Sequence, residues 1–234
     1  GTIRATNGWG LRLQGVTSTV GAIQNSTSIY GLFNSGTITS IENSANILSS
    51  SSENKDGAIT NQYNITLIKN KATGNITGRN AYNYYGIYND NGTITTIENY
   101  GTISAPNASS PDIYNKNGTI GTLINSQGGS DALIYKGSAP TNYEIVISDS
   151  TNYGKLKGLG ALAVIDTMNF SINEDSDLSF GGNDYTEWDS VDPLSPTEGT
   201  AYFINSDQAI TVVVDSSSTV TGPNHNLFIE DADS

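Results

Sequence analysis

The unit Gly-Thr-Ile-x-x-Ile-x-Asn recurs along the first 137 residues, and a short recurring unit constrains a fold more tightly than any composition does. It reads Gly36-Thr37-Ile38-Thr39-Ser40-Ile41-Glu42-Asn43, then Gly92-Thr93-Ile94-Thr95-Thr96-Ile97-Glu98-Asn99, then Gly118-Thr119-Ile120-Gly121-Thr122-Leu123-Ile124-Asn125. A degenerate copy, Asn64-Ile65-Thr66-Leu67-Ile68-Lys69-Asn70, fills the gap between the first two. The asparagines that close the unit, Asn43, Asn70, Asn99 and Asn125, are spaced by 27, 29 and 26 residues. A second set, Asn34, Asn61, Asn89 and Asn115, is spaced by 27, 28 and 26. The two sets lie 9 or 10 residues apart, and the rest of each repeat leaves room for a third segment. One coil is therefore about three short strands and three turns, the pattern of an all-β solenoid, a parallel β-helix whose coils bury their apolar faces by stacking. Asn25 to Asn43 spans only 18 residues, so one side of that coil is expected to be abbreviated.

Period-2 alternation assigns the inward residues. The expected core columns are Leu32, Ile59, Ile87, Ile113; then Ile38, Ile65, Ile94, Ile120; then Ile41, Ile68, Ile97, Leu123. Gly is expected to allow the turn that leads into each strand. Parallel coils place like residues about 4.8 Å apart, so each Asn column is expected to form a ladder of side-chain amides, a structural role. Glu42, Lys69 and Glu98 stack as an outer column of alternating charge.

The charge is divided unevenly. Residues 1–137 carry eight Lys or Arg and seven Asp or Glu, whereas residues 138–234 carry two and sixteen. The boundary is placed near Gly137-Ser138-Ala139-Pro140. Residues 1–137 form the regular repeats. Residues 138–234 form an acidic, irregular continuation, with strand-like runs at Tyr143–Ser148, Ala161–Ile165, Met168–Ile172 and Ala209–Val214 and a surface excursion over 180–196. No run approaches the roughly 20 apolar residues of a membrane helix. Cysteine is absent, which excludes disulfides and thiolate metal sites. Gly1-Thr2-Ile3-Arg4 already reads as part of a repeat, so a mature chain without an export signal is expected.

The repeat, with the following Asn99-Tyr100-Gly101-Thr102-Ile103, resembles the passenger domains of bacterial autotransporters, the type V secreted proteins. Tyr143-Glu144-Ile145-Val146-Ile147 with Ser150-Thr151-Asn152-Tyr153-Gly154-Lys155-Leu156 is similar to stretches near the C-terminal part of such passengers. The resemblance implies a right-handed parallel β-helix at the bacterial cell surface or secreted after export through the outer membrane. It implies a role in adhesion, self-association or toxicity, with membrane contact only through a C-terminal barrel that is not in this sequence.

Little in the chain points to catalysis. The only histidine, His225, sits in Gly222-Pro223-Asn224-His225-Asn226, a turn-like context, and no Gly-x-Ser-x-Gly motif accompanies it. Glycoside hydrolysis needs paired carboxylates, and the candidates are Asp184, Glu187, Asp189 and Asp192 around Trp188, whose ring suits a sugar. The only cations in this half are Lys155 and Lys157, too few for a lyase. The same four carboxylates are the candidate Ca²⁺ ligands, although they match no EF-hand or β-roll spacing, and Asp175 with Asp177 forms a second acidic pair. No other cofactor is expected. Tyr82, Tyr84, Tyr85 and Tyr88 crowd one coil, and Phe33, Tyr88 and Tyr114 are expected in one outward column, where exposed rings suit a protein or glycan partner. The competing expectation is that these rings only strengthen the sheet. Nucleic acid is disfavoured, because phosphate needs a cationic groove and the net charge is −13.

The expected function is a non-enzymatic adhesion or self-association module with a host or bacterial surface protein or glycan as partner. The alternatives are a polysaccharide-acting enzyme or glycan-binding module, and a structural stalk or folding-support segment of a larger passenger or toxin.

Overall fold

A computed structural model describes residues 9–49, 57–81, 83–128 and 132–147 and, elsewhere, strands Thr2–Ile3, Leu156–Lys157, Thr167–Ile172, Thr200–Asn205, Ala209–Val214 and His225–Glu230. Every described element is a strand, and every ladder is parallel. The strands stack into three sheets. Sheet A holds β1 (Thr2–Ile3), β4 (Ser28–Tyr30), β7 (Asn46–Leu48), β10 (Asn75–Thr77) and β13 (Thr102–Ser104). Sheet B holds β2 (Leu11–Leu13), β5 (Leu32–Asn34), β8 (Gly57–Asn61), β11 (Tyr85–Asp90), β14 (Ile113–Lys116), β16 (Leu133–Gly137) and β18 (Leu156–Lys157). Sheet C holds β3 (Thr19–Asn25), β6 (Thr37–Asn43), β9 (Asn64–Asn70), β12 (Thr93–Asn99), β15 (Thr119–Asn125), β17 (Asn142–Ile147), β19 (Thr167–Ile172) and β21 (Ala209–Val214). The chain visits B, C and A in turn, giving about four complete coils of a parallel β-helix. A separate pair joins β20 (Thr200–Asn205) to β22 (His225–Glu230). His225 therefore opens a strand, opposite Thr200, and not a turn.

The three expected core columns pair in register, and their members are at most 1% exposed. A fourth column, Ile29, Ile47, Ile76 and Ile103 of sheet A, completes the core. The two residues between the isoleucines of Gly-Thr-Ile-x-x-Ile have a specific consequence. Both point outward, so Ile38 and Ile41 are buried while Thr39 is exposed and Ser40 half-buried. Strict alternation would have put one of the two isoleucines into water.

Both asparagine columns form the expected ladders. Asn25, Asn43, Asn70, Asn99 and Asn125 are linked by Nδ2 to Oδ1 hydrogen bonds of 2.7, 2.9, 2.9 and 3.0 Å. Asn34, Asn61, Asn89 and Asn115 are linked at 2.8 Å each. Each amide donates toward the next coil, and its oxygen often accepts the N–H two residues on, as in Gly36 N–H to Asn34 Oδ1 at 3.0 Å. With its hydrogen-bonding groups satisfied, a column of amides can sit inside an apolar core at little net cost.

The ladders also explain two of the repeat glycines, Gly92 and Gly118, and the explanation differs from the expected one. A Cβ on Gly92 would collide with Asn61 Nδ2 and stand 2.7 Å from Asn89 Oδ1. Its φ is not positive; the left-handed turn residues are Asn91 (φ 60°) and, one coil later, Asn117 (φ 55°). Gly92 is required by the amide packed against it, and the preceding Asn supplies the turn.

The short first repeat is also resolved differently. No strand is missing between Asn25 and Asn43; β4 and β5 are joined by Gly31 alone, at φ 80°, so the corner is shortened and the side is kept. Past Asn125 the stack changes character. Among the described residues no sheet A strand follows β13; instead the Gln127 side chain lies against its edge, accepting from Ile103 N–H at 2.8 Å and donating to Ile103 O at 3.0 Å. A side-chain amide thereby takes the place of a strand on an edge that would otherwise be open. The buried Asp112 carboxylate ties the same region together, accepting from Ala105 N–H at 2.6 Å and Ile134 N–H at 2.7 Å. Sheet C runs on through the expected boundary near residue 137, since β15 pairs with β17 and β17 with β19.

Candidate functional site

The outer face of sheet B carries four of the expected binding residues, Phe33, Tyr85, Tyr88 and Tyr114. Its register aligns Arg12, Phe33, Thr60, Tyr88, Tyr114 and Lys136, one residue from each coil. Two ring clusters lie along this line. In the first, Trp9 packs on Phe33 with centroids 5.4 Å apart, and the Arg12 guanidinium lies 5.2 Å from the Phe33 centroid. In the second, Tyr85, Tyr88 and Tyr114 form a triangle with centroids 5.2, 5.3 and 5.6 Å apart, and Lys136 Nζ lies 5.3 Å from the Tyr114 centroid.

The rings are less exposed than the alternation suggests. Tyr84, Tyr85 and Tyr88 are only 5, 4 and 5% exposed, whereas Phe33 and Tyr114 are half-buried. Part of the cause is a local break in alternation at Gly86. A Cβ there would meet Ile103 Cγ2 at 2.6 Å, so Gly86 faces the core alongside Ile87. Tyr85 then turns outward beside Tyr88, and the three rings cover one another in tilted and edge-on contacts. Tyr84 lies apart from this triangle, under the Arg79 guanidinium at 5.9 Å.

The cations on this face are of two kinds. Lys116 pairs with Asp90 at 3.1 Å and lies close to the Tyr88 hydroxyl, contacts that raise its affinity for the proton. Burial pushes the Tyr88 phenol above its ordinary range, and the Lys116 contact partly offsets that shift. Arg12 and Lys136 are exposed and, among the described residues, have no carboxylate within ion-pair distance.

Sheet C presents a different outer face. Lys69 reaches Glu98 at 2.6 Å, and this contact raises the Lys69 pKa. Glu42 pairs with Lys71 at 3.0 Å, so only half of the expected Glu42, Lys69, Glu98 column is an ion pair within the column.

Trp188 and the carboxylates Asp184, Glu187, Asp189 and Asp192 lie outside the described residues, as do Asp175, Asp177, Tyr82 and the Ala161–Ile165 run. Among the described residues no three His, Cys, Asp or Glu side chains converge as a metal site, and no helix is long and apolar enough to cross a membrane. A cavity of about 200 Å³ at the first coil is lined by core residues such as Leu11, Leu13, Val20 and Ile23.

Two functional-looking residues escaped the sequence reading because they replace the repeat instead of repeating it. Tyr135 and Tyr143 pair in register with the core residues Ile113 and Leu123, and each ends one amide ladder. Asn125 Nδ2 lies 3.4 Å from the Tyr143 hydroxyl, while Asn115 Nδ2 and the Tyr135 hydroxyl both donate to Ser138 O, at 2.8 and 2.7 Å. Burial pushes both phenols far above the ordinary tyrosine range. Their role is to close the ladders, and the surrounding burial leaves them no access to a ligand. Compared with known proteins, the chain matches no family model, no curated protein and no solved structure.

Proposed function

We propose that this chain is a non-enzymatic recognition module of the autotransporter-passenger type, displayed at a bacterial cell surface or secreted, and acting in adhesion or self-association. The observation that carries this reading is the outer line of sheet B, where a rigid stack holds Arg12, Phe33, Thr60, Tyr88, Tyr114 and Lys136 in register. Aromatic rings give large contact area at low entropic cost, and exposed cations beside them add direction, so a partner can be held by many modest contacts spread along the stack.

The depth of Tyr85 and Tyr88 favours a second reading, that of a structural stalk in which the tyrosine triangle only reinforces sheet B. The two readings separate on the double variant Tyr88→Ser/Tyr114→Ser. Sedimentation velocity over a concentration series, with and without Ca²⁺, and retention on epithelial cell monolayers are the readouts. A recognition face requires the variant to lose self-association or retention while remaining folded. A variant that melts lower but associates and attaches as the parent does would establish the stalk.

A further inference from the structure

We propose that the outer face of sheet B binds an anionic polysaccharide, with sugar rings against Phe33 and Tyr114 and acidic groups on Arg12 and Lys136. This rests on the reading of sheet B as the recognition face and names the class of partner it takes. The two ring clusters lie on one straight line of the stack, three coil steps apart, or roughly 14 Å at about 4.8 Å per step. A ligand that fits must be extended and supply a ring-sized apolar face at intervals, which is the form of a linear sugar chain. Trp9 widens the first station by packing on Phe33, and Tyr85 and Tyr88 prop Tyr114 in the second.

The acidic character follows from the cations. Each station has one cation laid over its ring, Arg12 at 5.2 Å and Lys136 at 5.3 Å, and neither has an ion-pair partner among the described residues. The third cation, Lys116, is already neutralised by Asp90. A ring holds a cation only weakly at an exposed site, so the charge stays available to a carboxylate or sulfate. The strongly acidic half of the chain, with two basic and sixteen acidic residues, does not forbid this. Charges more than about 8 Å away are largely screened at physiological salt. Thr60, between the stations, adds no charge and, at 2% exposed, offers the sugar chain no contact of its own, so the ligand is held at the two stations.

The test uses the whole chain on immobilised heparin and polygalacturonate, two acidic polysaccharides, with neutral dextran as control. Retention is expected on the acidic chains and not on dextran. It should fall steeply as salt rises from about 0.01 to about 1 M, where the screening length shrinks from about 30 to about 3 Å. Arg12→Gln/Lys136→Gln should bind the acidic chains about tenfold more weakly with an unchanged melting curve. Equal retention on dextran, retention insensitive to salt, no retention on either acidic chain, or a parent-like double variant would each overturn the proposal. If it fails while Tyr88→Ser/Tyr114→Ser still abolishes cell attachment, the recognition face stands and only its ligand class is wrong. If Arg12→Gln/Lys136→Gln instead abolishes association between copies, the occupant is a second copy of this chain and the proposal falls.

Discussion

Sheets B and C are built from one inner plan and two different outer ones. Inside, both run columns of buried Ile or Leu beside a ladder of asparagine amides. Outside, sheet C shows threonines and charges that neutralise one another, Lys69 with Glu98 and Glu42 with Lys71. Sheet B shows rings and two exposed cations without carboxylate partners among the described residues. The lesson is that a solenoid separates the residues that hold it together from those that set its surface chemistry by direction. Alternation sends one set of residues to the core and leaves the other free to vary, so a face can be specialised without disturbing the stack.

Changes to the shared interior should hurt most and should not distinguish the faces. Ile94→Asp places an unpaired charge in a fully buried column, and loss of the folded stack is expected by circular dichroism. Asn70→Ala is the sharper probe. It removes the acceptor for Asn43 at 2.9 Å and the donor to Asn99 at 2.9 Å, Gly74 O at 3.1 Å and Thr102 O at 3.1 Å. Leaving such groups buried and unpaired costs about 1–3 kcal/mol apiece, so a loss of roughly 3 kcal/mol is expected in chemical denaturation. Gln127→Ala, which uncovers the edge of sheet A at Ile103, should cost about 1–2 kcal/mol and raise hydrogen exchange at that amide.

The ladder ends make a pH-dependent prediction. Tyr135 and Tyr143 keep their protons in the folded state well above the ordinary tyrosine value, because burial disfavours the phenolate. The unfolded chain releases those protons near pH ~10, so this stability is complete below that pH and is lost as pH rises above it. Melting temperature should therefore fall between about pH 9 and about pH 11, and Tyr143→Phe should flatten that fall. The smallest effect belongs to the outer face of sheet C. Lys69→Gln/Glu98→Gln should cost under about 1 kcal/mol, and added salt should remove most of the difference.

Much of the interior was legible because the period repeats each role several times. Three core columns, both ladders and the parallel register follow from the spacing of asparagines and isoleucines. Sheet A was expected only as room for a third segment. Its signal, an isoleucine four residues after the closing asparagine at Ile29, Ile47 and Ile103, slips to six at Ile76, where two extra residues enter the turn. The grouping of Tyr85 with Tyr88 was not legible, since it depends on Gly86 facing the core, and nothing in the alternation marks that glycine as different. Gln127, Tyr135 and Tyr143 were hidden for the opposite reason. Each occurs once, at the place where the repeat stops, and its meaning comes from the unpaired group one coil below it.

The most direct test compares the two faces in one binding experiment. Tyr88→Ser/Tyr114→Ser on sheet B and Lys69→Gln/Glu98→Gln on sheet C would be measured beside the parent chain for retention on epithelial cells and for self-association, with melting curves taken on the same samples. The expected result is that only the sheet B variant loses retention or association, with both variants still folded. Equal retention and association by all three proteins, or loss confined to the sheet C variant, would contradict the assignment of recognition to sheet B.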